Sequence, residues 1–254
     1  MNRNSQPEIT YIYGKHAVSE AARLRPDIFK DLYLDPEFRD QEFLYKLKKL
    51  TLGPKPLDER KLPGGLSRDA VHQGVVAGIK VNKLVREYKE FMEVETLTND
   101  SAVLILGEVQ DPHNVGAAIR SAAAFGLRAV MIPPHNQAPI TGTVIKVSAG
   151  MAFRVPLVTI RNVNATIADL QKRGFWVYGL AGEDNSVPLT TEQFTKPSAF
   201  VLGNEASGLR EKTREACDTL LSIPMHPRCE SLNAAAATAV TLFAWSAQHP
   251  GALK

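Results

Sequence analysis

The stretch AVLILGEVQDPHNVGAAIRSAAAFG, residues 102–126, decides the fold. It opens with an uninterrupted apolar run and continues from Asn114 as an alanine-rich helix. Further apolar runs alternate with stretches able to form helices along the rest of the chain. Continuous apolar runs predict strands buried on both faces, and their alternation with helices predicts a parallel sheet covered by helices. The sequence therefore predicts an α/β fold.

The chain divides near residues 81–100, a polar and charged segment that is typical of a linker. Before it, the patterns predict helices over 15–24 and 41–50 and strands at 31–35 and 72–81, with a loop rich in Pro and Gly between. We therefore predict a small α/β domain over 1–80, a linker over 81–100 and a larger domain over 101–254.

Composition excludes several classes of protein. The net charge of +3 permits an acidic partner such as RNA without requiring one. Two cysteines, Cys217 and Cys229, cannot form a zinc site or a disulfide framework, and the histidines show no metal-ligand spacing, so no metal is expected. No apolar run is long enough to cross a bilayer, and the first residues lack the apolar core of a signal peptide. A cytoplasmic protein without a membrane partner is expected.

Unusual polar residues follow three of the predicted strands, where ligands bind in open α/β sheets. The three segments are DPHNVGAAIRSAAAFG, FVLGNEASGLR and IPMHPRCESLN. Leu209 and Arg210 stand where a phosphate-binding loop needs Lys and Ser/Thr, and neither G-x-G-x-x-G nor G-x-S-x-G occurs. Dinucleotide-binding, P-loop and serine-hydrolase sites are therefore not supported.

Arg120 is a permanent charge among small residues of the first segment. It could pair with a local carboxylate such as Glu108 or Asp111, or it could contact a phosphate. Gly116, four residues earlier, is predicted to lie beside Arg120 and to leave room for a large group against the guanidinium. Asn114 could serve only as the cap of its helix.

In their order and separation, the three segments resemble the SpoU (TrmH-like) RNA 2′-O-ribose methyltransferases of the SPOUT superfamily, over residues 101–248. The stretches YIYGKHAVSEA and AVHQGVVA extend the resemblance to the amino-terminal substrate-binding domain of members that methylate a guanosine ribose of large-subunit (23S) ribosomal RNA. Single motifs of this kind are weak signals, whereas three in order together with the amino-terminal pair are specific.

The resemblance implies a trefoil-knotted carboxyl-terminal domain, S-adenosyl-L-methionine as cofactor, RNA as substrate and a homodimer. By position in the motifs, it implies catalytic roles for Asn114, Arg120, Glu205, Ser231 and Asn233. It implies that the cofactor pocket is lined by Leu202, Gly203, Ile223, Met225 and Leu232. Candidate RNA-binding residues in the smaller domain are Tyr13, Lys15, His16, His72 and Gln73.

The roles expected from this resemblance are specific. Arg120 would grip a phosphate and stabilise charge on the ribose oxygen, or act as a base. Glu205 would hold Arg120 or bond the substrate across the subunit interface. Where the family commonly has Gly and Ser, this chain has Ala206 and Ala235. A transfer-RNA methyltransferase and a non-catalytic RNA-binding homologue therefore remain alternatives.

Overall fold

The computed structural model of the chain describes residues 6–48, 50–67, 69–182 and 185–254. A four-stranded sheet with two helices forms the amino-terminal unit. Its elements are β1 (Ile9–Tyr13), α1 (Lys15–Leu24), β2 (Phe29–Leu34), α2 (Gln41–Leu47), β3 (Lys55–Pro56) and β4 (Val75–Lys80). β4 is central and antiparallel to both β1 and β2, while β3 is parallel to β2. The predicted strands and helices of this unit are present, and β1 and β3 complete the sheet.

An eight-stranded sheet covered by helices forms the larger unit. Its elements are α3 (Val81–Leu84), β5 (Val85–Glu87), α4 (Tyr88–Val94), β6 (Ala102–Leu106), α5 (Pro112–Ala124), β7 (Ala129–Ile132), α6 (Gly142–Val147), β8 (Leu157–Thr159), α7 (Val163–Lys172), β9 (Trp176–Leu180), β10 (Val187–Pro188), β11 (Ser198–Leu202), α8 (Glu211–Ala216), β12 (Thr219–Ser222) and α9 (Ala234–Gln248). The strand order is β10-β12-β9-β11-β6-β7-β8-β5, and every pairing is parallel. The predicted parallel α/β fold is confirmed.

β6 shows why its sequence is continuously apolar. Leu104 and Leu106 join the hydrophobic cluster on one face of the sheet, whereas Val103 and Ile105 join the cluster on the other. All four are fully buried. Successive side chains of a strand point to opposite faces, so a strand covered on both sides must be apolar at every position.

The segment predicted as a linker contributes structure to the larger sheet. β5 forms the sheet edge by pairing with β8, and α4 packs Phe91 and Met92 into the core. The helix spans only seven residues and its apolar residues alternate with charged ones, so it gives too weak a periodic signal to be recognised. The segment is thus part of the larger sheet and of the helices that cover it. The limits of the domains stay a prediction.

The two units pack closely against one another. Ile12 and Val18 share a hydrophobic cluster with Ile140 and Val144 of the larger unit. A Cβ atom on Gly142 would overlap the Tyr11 carbonyl, so only glycine allows this approach of α6 to β1.

The carboxyl ends of β6 and β11 lie side by side, with Leu106 in register with Leu202. The Gly107 N–H donates to the Leu202 carbonyl at 2.6 Å, which joins the first residue after β6 to the last residue of β11. The loops after these strands contain two of the three motifs. The parallel topology therefore brings residues about a hundred positions apart in the chain together at the carboxyl ends of the strands.

Candidate functional site

α5 begins two residues earlier than predicted. Pro112 is its first residue, and the N-cap is Asp111, whose Oδ1 accepts from the His113 N–H at 2.8 Å. Proline suits the first helical position because its missing N–H needs no partner there. Asn114 therefore lies inside the first turn, where it is buried. The interpretation of Asn114 as the cap was wrong, and its side chain is free for other bonds.

Those bonds connect the three motifs. Asn114 Oδ1 accepts from Asn233 Nδ2 at 2.9 Å, and Asn114 Nδ2 donates to Glu205 Oε1 at 3.1 Å. An amide offers one acceptor and one donor group, and here each is used. The structure thus brings together three of the five predicted catalytic residues in one hydrogen-bonded chain.

Glu205, the last member of this series of hydrogen bonds, also bonds the protein backbone. Its carboxylate also accepts from the N–H groups of Asp111 at 3.1 Å and Gln110 at 3.2 Å. Burial raises the pKa of Glu205, but the bonds from Asn114 and these backbone groups outweigh that effect, so its pKa lies below the ordinary value. The group is held as an anion that accepts hydrogen bonds. It does not pair with Arg120, contrary to one of its two expected roles.

Asn233 has two functions in the same position. Its Oδ1 accepts from the N–H groups of Ala235 at 2.9 Å and Ala236 at 3.3 Å, which makes it the N-cap of α9. Its amide nitrogen remains to donate to Asn114. Ser231 is exposed two residues before the cap and lines the adjacent cavity. The cap is therefore Asn233, and Ser231 stays available at the cavity wall.

Arg120 lies on the exposed face of α5, and no hydrogen bond or ion pair joins it to the residues that the structure describes. The alternative that Glu108 neutralises it is wrong, because Glu108 pairs with Arg210 at 2.8 Å. Asp111, the other local carboxylate, instead caps α5.

The expectation for Gly116 was also wrong. A Cβ there would lie 2.7 Å from Val147 Cβ, so this glycine allows α5 to pack on α6 and makes no space for a ligand.

A cavity of about 240 Å³ lies beside this hydrogen-bonded chain, at the ends of β9, β11 and β12. All five predicted cofactor-pocket residues line it: Leu202, Gly203, Ile223, Met225 and Leu232. Glu205 and Ser231 also face it. The second and third motifs therefore form the walls of one concave site.

Sequence reasoning missed several lining residues, among them Leu180, Gly182 and Thr241. Leu180 ends β9 and Gly182 follows it, so the rule that ligands bind at carboxyl strand ends could have found them. Thr241 gave no signal, because it lies in the middle of an apolar helix. Its hydroxyl is buried and has no hydrogen-bond partner in the part of the chain that the structure describes. A buried donor without a partner is costly, so a bound polar group is expected there.

The candidate RNA-binding residues lie where the two units meet. Tyr13, His16 and Gln73 line a cavity of about 200 Å³ together with Lys146 of α6, whose Nζ lies 4.8 Å from the Tyr13 ring centroid. The other two have local bonds. Lys15 pairs with Asp40 at 2.7 Å, and His72 Nδ1 accepts from the Gly74 N–H at 3.1 Å.

Within the described ranges, no group of three or more His, Cys, Asp or Glu side chains is arranged to hold a metal ion. In the same part of the chain, no helix is both long and apolar enough to span a bilayer.

Comparison with known proteins gives two family matches and close relatives. Residues 101–243 match the SpoU rRNA methylase family, and residues 11–84 match the RNA 2′-O ribose methyltransferase substrate-binding family. The 23S rRNA (guanosine-2′-O-)-methyltransferase RlmB of Nitrosomonas europaea is 38% identical over 242 residues, covering 94% of this chain and 92% of that protein. RlmB of Xanthomonas axonopodis pv. citri is 46% identical over 188 residues, covering 74% and 75%.

A solved structure shares the fold. It is the SpoU methyltransferase AviRb from Streptomyces viridochromogenes in complex with AdoMet, with a TM-score of 0.74 and 22% identity, covering 96% of this chain and 92% of that one. The ordered motifs, the parallel sheet and the matched family model agree, and the chain belongs to the SpoU rRNA methylase family.

Proposed function

We propose that this chain is an S-adenosyl-L-methionine-dependent RNA 2′-O-ribose methyltransferase that modifies a guanosine of 23S ribosomal RNA. The observation that carries the proposal is the chain of bonds from Asn233 through Asn114 to Glu205 at the cavity wall. The relatives that span both units are 23S rRNA guanosine methyltransferases, which favours this RNA over transfer RNA. The bonded site favours an active enzyme over a non-catalytic homologue.

The cavity suits S-adenosylmethionine. Leu180, Leu202 and Leu221 give it apolar walls for an adenosine, while Glu230 and Ser231 supply polar groups at its rim. The unpartnered Thr241 hydroxyl offers a further hydrogen bond. These lining residues include no lysine or arginine, which fits a cofactor without phosphate groups. The five pocket residues carried over from the family motifs are assigned this role within the proposal.

When bound, the cofactor would supply a methyl group on a sulfonium. Transfer to a ribose 2′ oxygen would form a carbon–oxygen bond in place of the carbon–sulfur bond, release the cofactor as a neutral thioether and pass the hydroxyl proton to solvent water. Such an in-line displacement depends on the position of the nucleophile. Asn114 and Asn233 would fix the geometry next to the reacting hydroxyl, and Ser231 would orient it. Glu205 acts as a positioning residue, because its carboxylate already accepts bonds from three neighbouring residues.

We assign to Arg120 the binding of the phosphate next to the target ribose. Its guanidinium is exposed and no described residue pairs with it, so its bonding capacity remains for a ligand. Arginine stays protonated in proteins and binds phosphate through paired N–H groups. In this position it would stabilise negative charge that develops on the ribose oxygen. A role as general base is not assigned to it, because the arginine side chain does not act as a proton acceptor in proteins.

A homodimer forms part of the proposal. α9 presents an exposed apolar stripe in which Val240 is 42% and Phe243 is 61% accessible. The Phe243 ring contacts Phe125 at the end of α5, with ring centroids 6.0 Å apart. Exposed apolar side chains in a row mark an interaction surface. A second copy of the chain would cover this stripe close to the helix that carries Arg120.

The amino-terminal unit is assigned RNA recognition through the cleft that contains Tyr13, His16 and Gln73, with Lys15 and His72 beside it. RNA specificity rests on shape and on unstacked bases, which an aromatic and cationic cleft can bind. The limits 1–80, 81–100 and 101–254, the trefoil knot and a cytoplasmic location belong to the proposal as well.

Methyl transfer from labelled S-adenosylmethionine tests the proposal. The full chain is incubated with 23S rRNA, assembled large subunits or transfer RNA, and ribose methylation is mapped. We expect a single modified guanosine in 23S rRNA or in the subunit. Modification of transfer RNA alone would replace the proposed substrate, and no transfer to any RNA would refute the proposed activity.

A further inference from the structure

A second cavity, of about 530 Å³, opens at the same edge of the sheet and is more than twice as large as the candidate cofactor cavity. The loops after β6, β7 and β8 and the start of α8 form its walls. The charged and titratable side chains that line it are Glu108, His135, Arg161, Arg210, Glu211 and Lys212. None of them has a role in the proposed reaction described above.

Two of these cations are unpaired. Arg161 and Lys212 are exposed, and neither forms an ion pair or hydrogen bond with the residues that the structure describes. Arg210 and Glu108 neutralise one another across a 2.8 Å ion pair. Glu211 is the remaining carboxylate, so cations exceed carboxylates in the cavity by one. The amino-terminal end of the ten-residue helix α7 also lines the cavity, and it adds partial positive charge.

Hydrogen bonds connect the wall of this cavity to the loop that carries Glu205. The backbone carbonyl of Glu108 accepts from Asn204 Nδ2 at 3.0 Å, and Asn204 directly precedes Glu205. On the other side, Asn136 Nδ2 donates to Glu108 Oε1 at 3.3 Å. Glu108 and Asn136 both have left-handed backbone conformations, with φ of 71° and 54°. Such conformations persist where the surroundings enforce them.

We propose that this cavity is a second RNA contact, which binds the phosphodiester backbone of the substrate strand beside the nucleotide to be methylated. Arg161 and Lys212 would each contact a phosphate. The proposal rests on the proposed RNA methyltransferase function and assigns it a further substrate-binding surface. Among the residues that the structure describes, no Phe, Tyr or Trp lines the cavity. A site of this composition suits a charged backbone rather than stacked bases.

The test compares two double variants of the full chain. R161Q/K212Q removes the two unpaired cations of the cavity. R128Q/K172Q removes one Arg and one Lys at the amino-terminal ends of the strands, directly before β7 and shortly before β9. Both variants lose the same net charge. The measurements are the KM for RNA and kcat in the methyl-transfer assay, RNA affinity by filter binding at several salt concentrations, and the thermal unfolding midpoint.

The proposal expects R161Q/K212Q to raise the KM for RNA roughly tenfold and to reduce the slope of log affinity against log salt by about two, with kcat at saturating RNA unchanged. The control should match the unaltered protein in KM, kcat and salt slope, while its unfolding midpoint should fall slightly because Arg128 pairs with Glu95 at 3.4 Å. The charge-conserving variant R161K/K212R should recover most of the affinity, which separates lost charge from misfolding.

An unchanged KM and salt slope in R161Q/K212Q would overturn the cavity assignment while the methyltransferase function stands. A lower kcat with unchanged RNA affinity would overturn it as well. Absence of methyl transfer by the unaltered protein would instead refute the proposed function. Filter binding would then still decide whether the cavity contacts RNA.

Discussion

The amide nitrogen of Asn233 donates a hydrogen bond to Oδ1 of Asn114 at 2.9 Å, although the two residues are 119 positions apart in the chain. Asn233 also caps α9, and Asn114 also donates to Glu205. The same residue therefore starts a helix and positions the candidate catalytic site. Helix stability and site geometry are coupled through one side chain.

Two substitutions of Asn233 separate these functions. N233A removes the cap and the bond to Asn114, so it should cost about 1 kcal/mol of unfolding free energy and lower kcat. N233D keeps a capping oxygen but cannot donate to Asn114, so stability should be nearly retained while kcat still falls. Denaturant unfolding and single-turnover methyl transfer measure the two effects. Full activity in N233D would contradict the role of the Asn233–Asn114 bond.

Removal of the Arg120 side chain should abolish methyl transfer without loss of stability. R120A removes an exposed group that no described residue bonds, so unfolding free energy should change by no more than about 0.5 kcal/mol. Cofactor affinity by titration calorimetry should also stay nearly constant. R120K keeps the charge but loses the paired N–H geometry, and it should retain only partial activity. Comparable activity in R120A would rule out its assigned role.

Gly203 should not tolerate a side chain. A Cβ there would overlap the backbone of Gly208 and Leu209, so G203A should distort the turn, destabilise the fold by roughly 1–3 kcal/mol and weaken cofactor binding. The matched control is G182A, where a Cβ would meet no atom within 4 Å although the residue lines the same cavity. Unfolding curves and cofactor titration compare the two. Equal behaviour of both variants would show that the turn is not tightly constrained.

A charge on the exposed stripe of α9 should separate the proposed dimer. F243E places a carboxylate in an otherwise apolar stripe, so sedimentation velocity should show a shift from a dimer to a monomer. Methyl transfer should fall with it if the partner completes the site. K172Q lowers the net charge by the same single unit at an exposed residue near the amino-terminal end of β9, and it should leave the mass unchanged. A monomeric unaltered protein with full activity would refute the shared site.

The lowered pKa of Glu205 predicts a pH dependence. A carboxyl group whose pKa falls on folding stabilises the native state at pH above its unfolded value, ordinarily 4.5. That contribution is lost as pH falls below 4.5 and through the lowered folded pKa. Unfolding free energies of the unaltered protein and of E205Q should therefore converge as the solution is acidified through this range. A stability difference that does not vary with pH would contradict the assigned anion.

Many residues of the site could be predicted from the sequence, but the contacts between them could not. Glu205 was expected near Arg120, yet it bonds Asn114 and the backbone of Gln110 and Asp111. Gly116 was expected to make room for a ligand, yet it packs against Val147. The Gly116 expectation came from spacing along one helix, whereas the Glu205 expectation came from the family resemblance. Spacing shows which residues share a face, but not which neighbour covers that face.

The sequence by itself determined the parallel α/β fold, because strands buried on both faces must be apolar at every position, as β6 is. Its ordered motifs also indicated many of the residues that line the candidate site. Only the tertiary structure decided how they bond, since strand order places the loops after β6 and β11 side by side although they are far apart in the chain. It likewise decided that Arg120 faces outward and that Arg161 and Lys212 share a cavity. Contacts of this kind depend on how strands cross over, which local patterns of residues do not encode.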